Sequence, residues 1–455
     1  QAGIYSNKKA GDTYLTGAMG IEFDRLISQQ RLRANAEVEG FKYKEYDDFD
    51  HVGYNVGSTL DWVVGRPLFG RAGIKLDRRQ PTVQDRIYNQ TTNVSGDRNN
   101  ISTQNLFFNA GFRFTPVWSV IGGVDYVRSR NSLEVYKDTD YDLKSGEGGV
   151  RYAPGTGIEV DLVYRATSGE YKSAQRYGDD GSALLCNNNC RKNDYDEDSL
   201  QARVQYRPSE DSSLGGFVGY TRRDYDQGNR NFRGLTTGFD TEWAVSGAVQ
   251  MRASLGRSIE PDDDAVTGSY ADTKGYNLSL GWARELKGKT ATLTFTPFVE
   301  YGKGTYNSYL DDGTHGSGNV SYLGAGIMGR MENNKGLWAE AALHGGKAHS
   351  DYKGSVYTGS TSSYDSANAY YAAHLGIGKE IKTNDKDKMN AYLRYFWSYQ
   401  SGMQAGIHST GSSMSTDDYD FSGVHSNRVR LGFMYTHQDS DKSEVYAGLA
   451  WEYEL

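Results

Sequence analysis

The sequence predicts an all-β protein, a single transmembrane antiparallel β-barrel of about 20 strands with long loops on one rim and short turns on the other. Three observations favour this fold. Segments of roughly 10 to 15 residues alternate apolar and polar side chains along the whole chain. The connections between them alternate between short and long. The chain holds 35 Tyr and 55 Gly at a mean hydropathy of -0.70, as expected if half of each strand faces water.

The composition also excludes other classes of protein. Aromatic residues make up 13% of the 455 residues, which is too many for a disordered chain. The net charge of -8 argues against a nucleic acid as partner. No run approaches the ~18 apolar residues of a membrane-spanning helix. A propeller would need a blade signature repeating every ~40–50 residues, and the sequence has none.

Each predicted strand has period two. In "SLQARVQYRP", Leu200, Val204 and Tyr206 share one face, and Arg203 and Arg207 share the other. Twenty segments have this pattern, at 13–24, 30–45, 52–65, 68–80, 102–115, 118–130, 141–153, 157–170, 197–207, 212–225, 235–245, 248–258, 274–286, 290–304, 319–332, 337–350, 366–381, 388–401, 426–438 and 443–455.

Short turns follow the odd-numbered segments, and most long loops follow the even-numbered ones. The long loops are expected at 81–101, 171–196, 305–318, 351–365 and 402–425. Four prolines fall in short turns, namely Pro67, Pro116, Pro154 and Pro208. Aromatic residues near strand ends match the aromatic girdles of outer-membrane barrels, namely Trp118, Tyr126, Tyr164 and Trp451. The pattern therefore predicts a multi-pass protein of the bacterial outer membrane, in contact with lipid and lipopolysaccharide.

The order of the connections predicts where the chain ends lie. Because short turns follow odd segments, the first and last segments should both end at the long-loop rim, with Gln1 to Asp12 as half of a severed loop. We expect Thr16–Phe23 and Tyr446–Tyr453 to pair and close the wall. In bacterial outer-membrane barrels the short turns are periplasmic, and both termini normally lie on that side. The predicted order is the reverse, which favours a circular permutation or a chimera over missing flanking strands.

A break in composition lies near residue 257. Residues 1–257 hold 24 Arg, 9 Lys and 1 His, whereas residues 258–455 hold 5 Arg, 12 Lys and 7 His. The strand pattern continues through the break without a linker. We therefore predict one barrel domain over 1–455, assembled from two sequence styles by natural fusion or by engineering.

Two family resemblances follow the same division. "TGAMGIEFDRLISQQRLRANAEV" and "VGYTRRDYDQGNRNFRG" resemble EpsL-like β-barrel porins linked to exopolysaccharide export. "GYNLSLGWARE", "FVEYGKGTYN" and "VYAGLAWEYEL" resemble an autotransporter β-domain. Both resemblances imply an outer-membrane barrel. The first implies polysaccharide export, and the second implies a translocator, although the sequence has neither a passenger nor a helical segment before Thr13.

The sequence predicts no enzyme, cofactor or metal centre. It lacks a His-Glu-x-x-His run, a phosphate-binding glycine loop and a nucleophile elbow. His344 and His349 flank "GGKA", which is not a metal-ligand spacing. The acidic loops "NDYDEDS" and "EPDDDA" have the oxygen ligands that Ca²⁺ prefers. Solvated loops, or bridges to lipopolysaccharide through divalent ions, are the favoured interpretation.

Charged residues on the predicted inner face carry the functional signal. The basic residues predicted to line a pore are Arg31, Arg33, Arg71, Lys75, Arg151, Arg165, Arg203, Arg207, Arg252, Arg394, Arg428 and Arg430, and the same phase adds Arg79 and Arg284. Inward acids include Glu37, Asp77, Glu159, Asp161, Asp240, Glu242, Glu340, Glu452 and Glu454. The arginines indicate either a basic pore for anionic solutes or cross-strand ladders that stiffen the wall, and both can hold together.

Two cysteines lie in the loop sequence "LLCNNNC". Cys186 and Cys190 suit an oxidising compartment and a small disulfide ring, with two free thiols as the alternative.

The sequence thus predicts a channel for polar or anionic solutes, with polysaccharide export implied by the resemblance. No stretch is long enough for a plug, so the lumen should be open to water unless loops fold inward. The alternatives are a structural or engineered scaffold barrel and an autotransporter-type translocator. The pattern indicates no particular oligomeric state.

Overall fold

The structure is a computed structural model. It describes residues 12–45, 47–80, 99–173, 192–209, 211–227, 231–246, 249–262, 269–282, 284–310, 315–357, 360–410, 415–440 and 443–454. The strands are β1 (Asp12–Ile27), β2 (Gln30–Tyr43), β3 (His51–Val64), β4 (Leu68–Arg79), β5 (Ile101–Arg113), β6 (Trp118–Asn131), β7 (Tyr141–Tyr152), β8 (Ile158–Tyr171), β9 (Tyr195–Ser209), β10 (Ser212–Tyr225), β11 (Phe232–Ser246), β12 (Val249–Asp262), β13 (Ser269–Trp282), β14 (Arg284–Lys287), β15 (Ala291–Leu310), β16 (His315–Asn333), β17 (Leu337–Tyr357), β18 (Ser360–Lys382), β19 (Asp387–Gln400), β20 (Met403–Thr410), β21 (Ser415–Phe421), β22 (Val424–Ser440) and β23 (Ser443–Glu454). Short 3-10 helices span Asp47–Phe49 and Glu134–Thr139.

These strands form one closed antiparallel barrel of 20 strands, as the sequence predicted. Strands β13 and β14 both pair with β15 and together act as one strand of the wall. Strands β20 and β21 form a hairpin between β19 and β22, while β19 and β22 pair directly with each other. No helix among the described residues has the length and apolar character needed to cross a membrane.

The barrel closes through β1 and β23. Their antiparallel register runs from Asp12 opposite Glu454 to Phe23 opposite Ser443. Strand β1 also pairs with β2 on its other side, so neither edge is left open. The expected pairing of Thr16–Phe23 with the last strand is therefore confirmed.

The connections fix the two rims. Two residues join β1 to β2, and three join β3 to β4, at what we call the short-turn rim. Asp12 and Glu454 lie at the opposite, long-loop rim, as predicted. Residues 1–11, expected to form half of a severed loop, lie outside the described residues.

The predicted loops 305–318 and 351–365 are wrong in part. Strand β15 continues to Leu310 and β16 begins at His315, and β17 and β18 extend over the second predicted loop in the same way. The predicted loop 402–425 contains the β20–β21 hairpin. The alternation of apolar and polar residues ends where the apolar belt ends, but backbone hydrogen bonding between neighbours continues past it. Sequence hydropathy therefore marks the belt rather than the strand.

The two faces of the wall differ in chemistry and crowding. One face carries exposed large apolar residues, such as Met19 (65% exposed), Val124 (60%) and Leu343 (62%). Aromatic pairs on this face lie near the short-turn rim, and they are Trp118–Tyr152, Tyr206–Trp243 and Trp282–Phe295. Side chains diverge on a convex surface and converge on a concave one. The crowded polar face is therefore the inner face, and the apolar belt is outside.

Candidate functional site

Strand register builds the inner face from rows of facing polar residues. Arg151 lies opposite Asp161, Glu147 opposite Arg165, and Asp61 opposite Arg71 in neighbouring strands. Because side chains alternate between faces, one register fixes the face of every residue in a strand. All twelve predicted pore-lining residues lie on the polar face by this register.

Ten of these twelve residues form ion pairs with carboxylates across or along the wall. The pairs join Arg31 to Asp24, Arg33 and Arg71 to Asp61, Arg151 to Glu159 and Asp161, Arg165 to Asp125 and Glu147, Arg203 to Glu147, Arg252 to Glu242, Arg394 to Glu340, and Arg428 and Arg430 to Glu452. Lys75 and Arg207 have no carboxylate partner among the residues that the structure describes. The inner wall is thus built mainly of charge ladders.

One ladder crosses β6 to β9. The Arg165 Nη2 atom lies 2.6 Å from Asp125 Oδ1, and its Nη1 atom donates to Glu147 Oε2 at 3.1 Å. Arg203 Nη2 donates to the same Glu147 oxygen at 2.9 Å. Charge-assisted bonds of this kind are stronger than neutral ones, so the ladder fixes four consecutive strands.

A second ladder surrounds Glu340 on β17. Arg330 Nη1 donates to Glu340 Oε2 at 3.0 Å, and the Arg394 Nε atom lies 3.1 Å from Glu340 Oε1. Both guanidinium groups lie over the ring of Trp338, at 4.6 and 5.6 Å from its centroid. Trp338 is only 2% exposed. Cation–π contact and ion pairing act together here to hold both arginines against the wall.

A third cluster lies on the inner face at the closing seam. Glu452 is 2% exposed and lies 3.3 Å from Arg428 Nη1 and 3.5 Å from Arg430 Nη1. The hydroxyl of Tyr14, on β1, donates to Glu452 as well. One carboxylate thus joins β22, β23 and β1.

Glu300 on β15 is an inner-face residue that the sequence prediction missed. Its Oε1 atom lies 2.8 Å from His344 Nε2 and accepts a hydrogen bond from the Tyr370 hydroxyl at 3.0 Å. The alternation in "FVEYGKG" places Val299 and Tyr301 on the exposed apolar face and Glu300 on the other face of the same strand. This alternation is the signal that would have identified Glu300 as an inner-face residue.

The inward position expected for Arg284 is wrong. Arg284 lies opposite Phe295 in the register, and Phe295 packs edge-on against Trp282 on the apolar face. Arg284 has the same parity as Trp282, so it belongs to the outer face at the short-turn rim.

A cavity of about 1100 Å³ opens on the inner face at the short-turn rim. Its walls include Arg66, Arg113, Arg151, Arg207 and Glu159. Arg66 and Arg113 are further residues that the sequence prediction missed, although the alternation in "FNAGFRF" places Arg113 on the inner face. A second cavity, of about 710 Å³, contains Lys75 among its lining residues.

Within the described part of the chain, no three His, Cys, Asp or Glu side chains converge to hold a metal ion. Cys186 and Cys190 lie outside the described residues, so their disulfide stays a prediction.

Comparisons with family models and with curated proteins gave no match. Among solved structures, the FrpB iron transporter from Neisseria meningitidis (F3-3 variant) is 8% identical, with a TM-score of 0.45, over 98% of this chain and 82% of that chain. A ferric enterobactin receptor (PfeA) mutant from Pseudomonas aeruginosa is 9% identical, with a TM-score of 0.38, over 98% and 81%. The siderophore receptor PirA from Pseudomonas aeruginosa is 8% identical, with a TM-score of 0.31, over 98% and 81%.

Similarity at this level carries no information about what this chain binds. None of these three proteins is named as an exopolysaccharide-export porin or an autotransporter, so both family resemblances remain predictions.

Proposed function

We propose that this protein is an outer-membrane channel that passes polar solutes without catalysis. The observation that carries the proposal is the closed wall with an exposed apolar outer face and a charged inner face. A closed barrel satisfies every backbone hydrogen-bonding group in its wall, which lipid demands of any spanning structure. The polar inner face then surrounds a path for water and solutes.

The number of strands supports a lumen wide enough for water and small solutes. Barrels of about 16–18 strands leave an aqueous channel, and barrels of about 22 strands hold a plug in a wider lumen. Twenty strands lie between these sizes. Rings of charged side chains set the selectivity of such pores.

The charge ladders limit how selective the channel can be. Most inner arginines already face a carboxylate, so their fields are largely cancelled at the distance of a passing ion. We therefore propose weak anion preference, arising from the arginines that lack such partners. Polysaccharide export rests on the family resemblance alone and is the less supported form of this proposal.

Contact with anionic lipid head groups is proposed at the long-loop rim. Arg128, Arg130 and Lys172 surround Asp142 there, with nitrogen–oxygen distances of 3.2, 2.7 and 2.5 Å. Three cations around one carboxylate leave a positive surface at this rim.

A scaffold barrel with no dedicated solute is the second candidate. The observation that favours it is the ladder itself, since ten paired arginines stiffen a wall whether or not anything passes through. A measurement of ion conductance distinguishes the channel from the scaffold, because only the channel passes current.

The test is single-channel recording in a planar bilayer. We expect discrete conductance steps from the refolded barrel in symmetrical KCl. Insertion is checked independently by the altered gel mobility of the unheated, folded barrel. Inserted protein whose current equals that of the bare bilayer would exclude the channel and leave the scaffold.

A further inference from the structure

The larger of the two cavities described above, at the short-turn rim, differs from the rest of the inner face in its balance of positive and negative side chains. It lies among the turns 65–67, 114–117 and 153–157, and its volume is about 1100 Å³. Among the described residues, four arginines and one glutamate are its charged lining residues. Within the part of the chain that the structure describes, only Arg151 among these arginines has carboxylate partners, Glu159 and Asp161. The remaining three give the cavity a surplus of positive charge.

Arg113 is held in place without being neutralised. Its guanidinium carbon lies 5.1 Å from the centroid of the Phe69 ring, and its Nη1 atom donates to the Arg66 carbonyl at 3.2 Å. The backbone N–H of Arg113 donates to the Pro67 carbonyl at 2.8 Å. An aromatic ring and a carbonyl orient the planar group, and neither removes its charge.

Arg207 is positioned in a similar way from the opposite side. With the Gln205 amide oriented to accept, its oxygen lies 2.7 Å from Arg207 Nη2 and 3.3 Å from Nε. The Arg207 backbone N–H donates to Gly157 at 2.8 Å, which ties the strand to the lining turn. Gln205 is neutral, so this contact also orients the charge without cancelling it.

Arg66 completes the group from the turn between β3 and β4. It is exposed, and no carboxylate contacts it among the described residues. Gly65, with a φ of 63°, precedes it and allows the left-handed backbone that this tight turn needs. The turn thus presents Arg66 beside the cavity that Arg113 and Arg207 line.

We propose that this cavity is an anion-binding site for solutes that carry more than one phosphate or carboxylate group. Planar guanidinium groups bind such oxyanions with paired hydrogen bonds. Ligand pockets occupy about 300–1,000 Å³, so this cavity has room for more than one anionic group. The inference rests on the proposed channel function and adds a binding step at its short-turn mouth.

The test measures binding of inorganic pyrophosphate to the folded barrel in a zwitterionic detergent by calorimetry. The variants are Arg66→Gln, Arg113→Gln, Arg207→Gln and the triple variant. Arg252→Gln is the matched control, because Arg252 is an exposed inner-face arginine already paired with Glu242. We expect each single variant to weaken binding about tenfold, the triple variant to abolish it, and the control to bind like the wild type.

A short-chain phosphatidylglycerol is offered in a separate titration, because its head group carries the same chemistry. Binding of pyrophosphate alone assigns the site to soluble anions, and binding of the lipid alone overturns that assignment. Wild-type protein that binds no pyrophosphate, or a folded triple variant that binds normally, overturns the site. Conductance of the same preparation is recorded in parallel, so a conducting barrel without binding refutes this inference and leaves the channel intact.

Discussion

Arg203 on β9 donates to Glu147 on β7 at 2.9 Å, across the intervening strand β8. The same carboxylate accepts from Arg165 on β8 at 3.1 Å. One acid thus pairs with two arginines that the sequence predicted to line the pore. Net lumen charge therefore depends on the acids as much as on the arginines.

Replacing Arg203 and Arg207 together with Glu should move the reversal potential toward cations. The change removes two positive charges from one side of the lumen and adds two negative ones, and it puts a new carboxylate beside Glu147. Reversal potential in a KCl gradient measures the effect. Arg222→Glu is the control, because Arg222 lies on the outer face in pair with Asp224. An unmoved potential in the double variant would show that these side chains do not face the permeation path.

Glu147→Gln should shift the reversal potential the opposite way, toward anions. The substitution keeps the shape of the side chain and removes the one charge that Arg165 and Arg203 share. The same KCl gradient reports the change. A shift toward cations would contradict the assignment of these arginines to the lumen.

Glu452→Gln should destabilise the barrel by about 1–3 kcal/mol, because it leaves Arg428 and Arg430 without their shared carboxylate at a buried position. The measurement is urea unfolding of the protein in lipid vesicles. Glu242→Gln removes an exposed partner of Arg252 and should change stability far less. Equal losses in the two variants would mean that burial at the seam has no special role.

Asp387 lies at the short-turn rim, outside the apolar belt, and its ionisation should make the stability of the barrel depend on pH. Hydrogen bonds from Tyr435, His437 and Asn384 lower the pKa of Asp387 to about 2. A lowered folded-state pKa contributes stability above the unfolded value of about 4, and this is lost as pH falls toward 2. The unfolding temperature of Asp387→Asn should lie below the wild type at pH 6 and converge with it near pH 2. A difference in unfolding temperature that stays the same from pH 6 to pH 2 would contradict this assignment.

Gly336→Ala should destabilise the hairpin between β16 and β17. Gly336 has a φ of 77°, and an added Cβ would lie 2.1 Å from the Glu380 carbonyl oxygen. The left-handed conformation alone costs about 1–2 kcal/mol for a residue with a side chain, and the clash adds to it. Gly146→Ala is the control, since a Cβ there meets nothing within 4 Å. In urea unfolding, Gly336→Ala should have a lower midpoint than Gly146→Ala. Similar midpoints for the two variants would show that a side chain at position 336 causes no strain.

Cys186 and Cys190 are predicted to form a disulfide. The three residues "NNN" between them allow a tight loop if the backbone turns. The intact mass of unreduced protein should lie two hydrogen masses below that of the reduced chain. Equal masses, or ready labelling of unreduced protein by a thiol reagent, would show two free thiols.

The barrel was predictable because lipid imposes period two on every strand that crosses it. The twenty segments, the pairing of β1 with β23 and the rim that carries Asp12 and Glu454 all follow from this periodicity and from turn chemistry. The extensions of β15 to β18 could not be predicted in this way. Above the apolar belt both faces of these strands meet water, so "GKGTYNSYL" has the composition of a loop.

Alternation predicts a face for each residue within a strand, but it does not predict how the charges on that face pair. Alternation alone places Arg165 inward. Its contacts with Asp125 and Glu147 require the register of three strands. Arg66 lies in a turn, where alternation gives no face. Arg284 has the parity of Leu280 and Trp282, so the alternation itself places it on the outer face.

The pairing of β1 with β23 has a consequence for how the ring assembles. Tyr14 and Glu452 are separated by 438 residues, whereas a two-residue turn joins β1 to β2. Bringing such distant segments together costs about 5 kcal/mol of loop-closure entropy in a flexible chain, and only twelve facing residue pairs offset that cost. Contacts of such high sequence separation form slowly, so ring closure should be a late event in folding. Until the ring closes, both edge strands expose unpaired backbone groups that can pair with other chains and cause aggregation. The yield of refolded protein should therefore fall as the protein concentration rises, and it should fall more steeply when closure is slower.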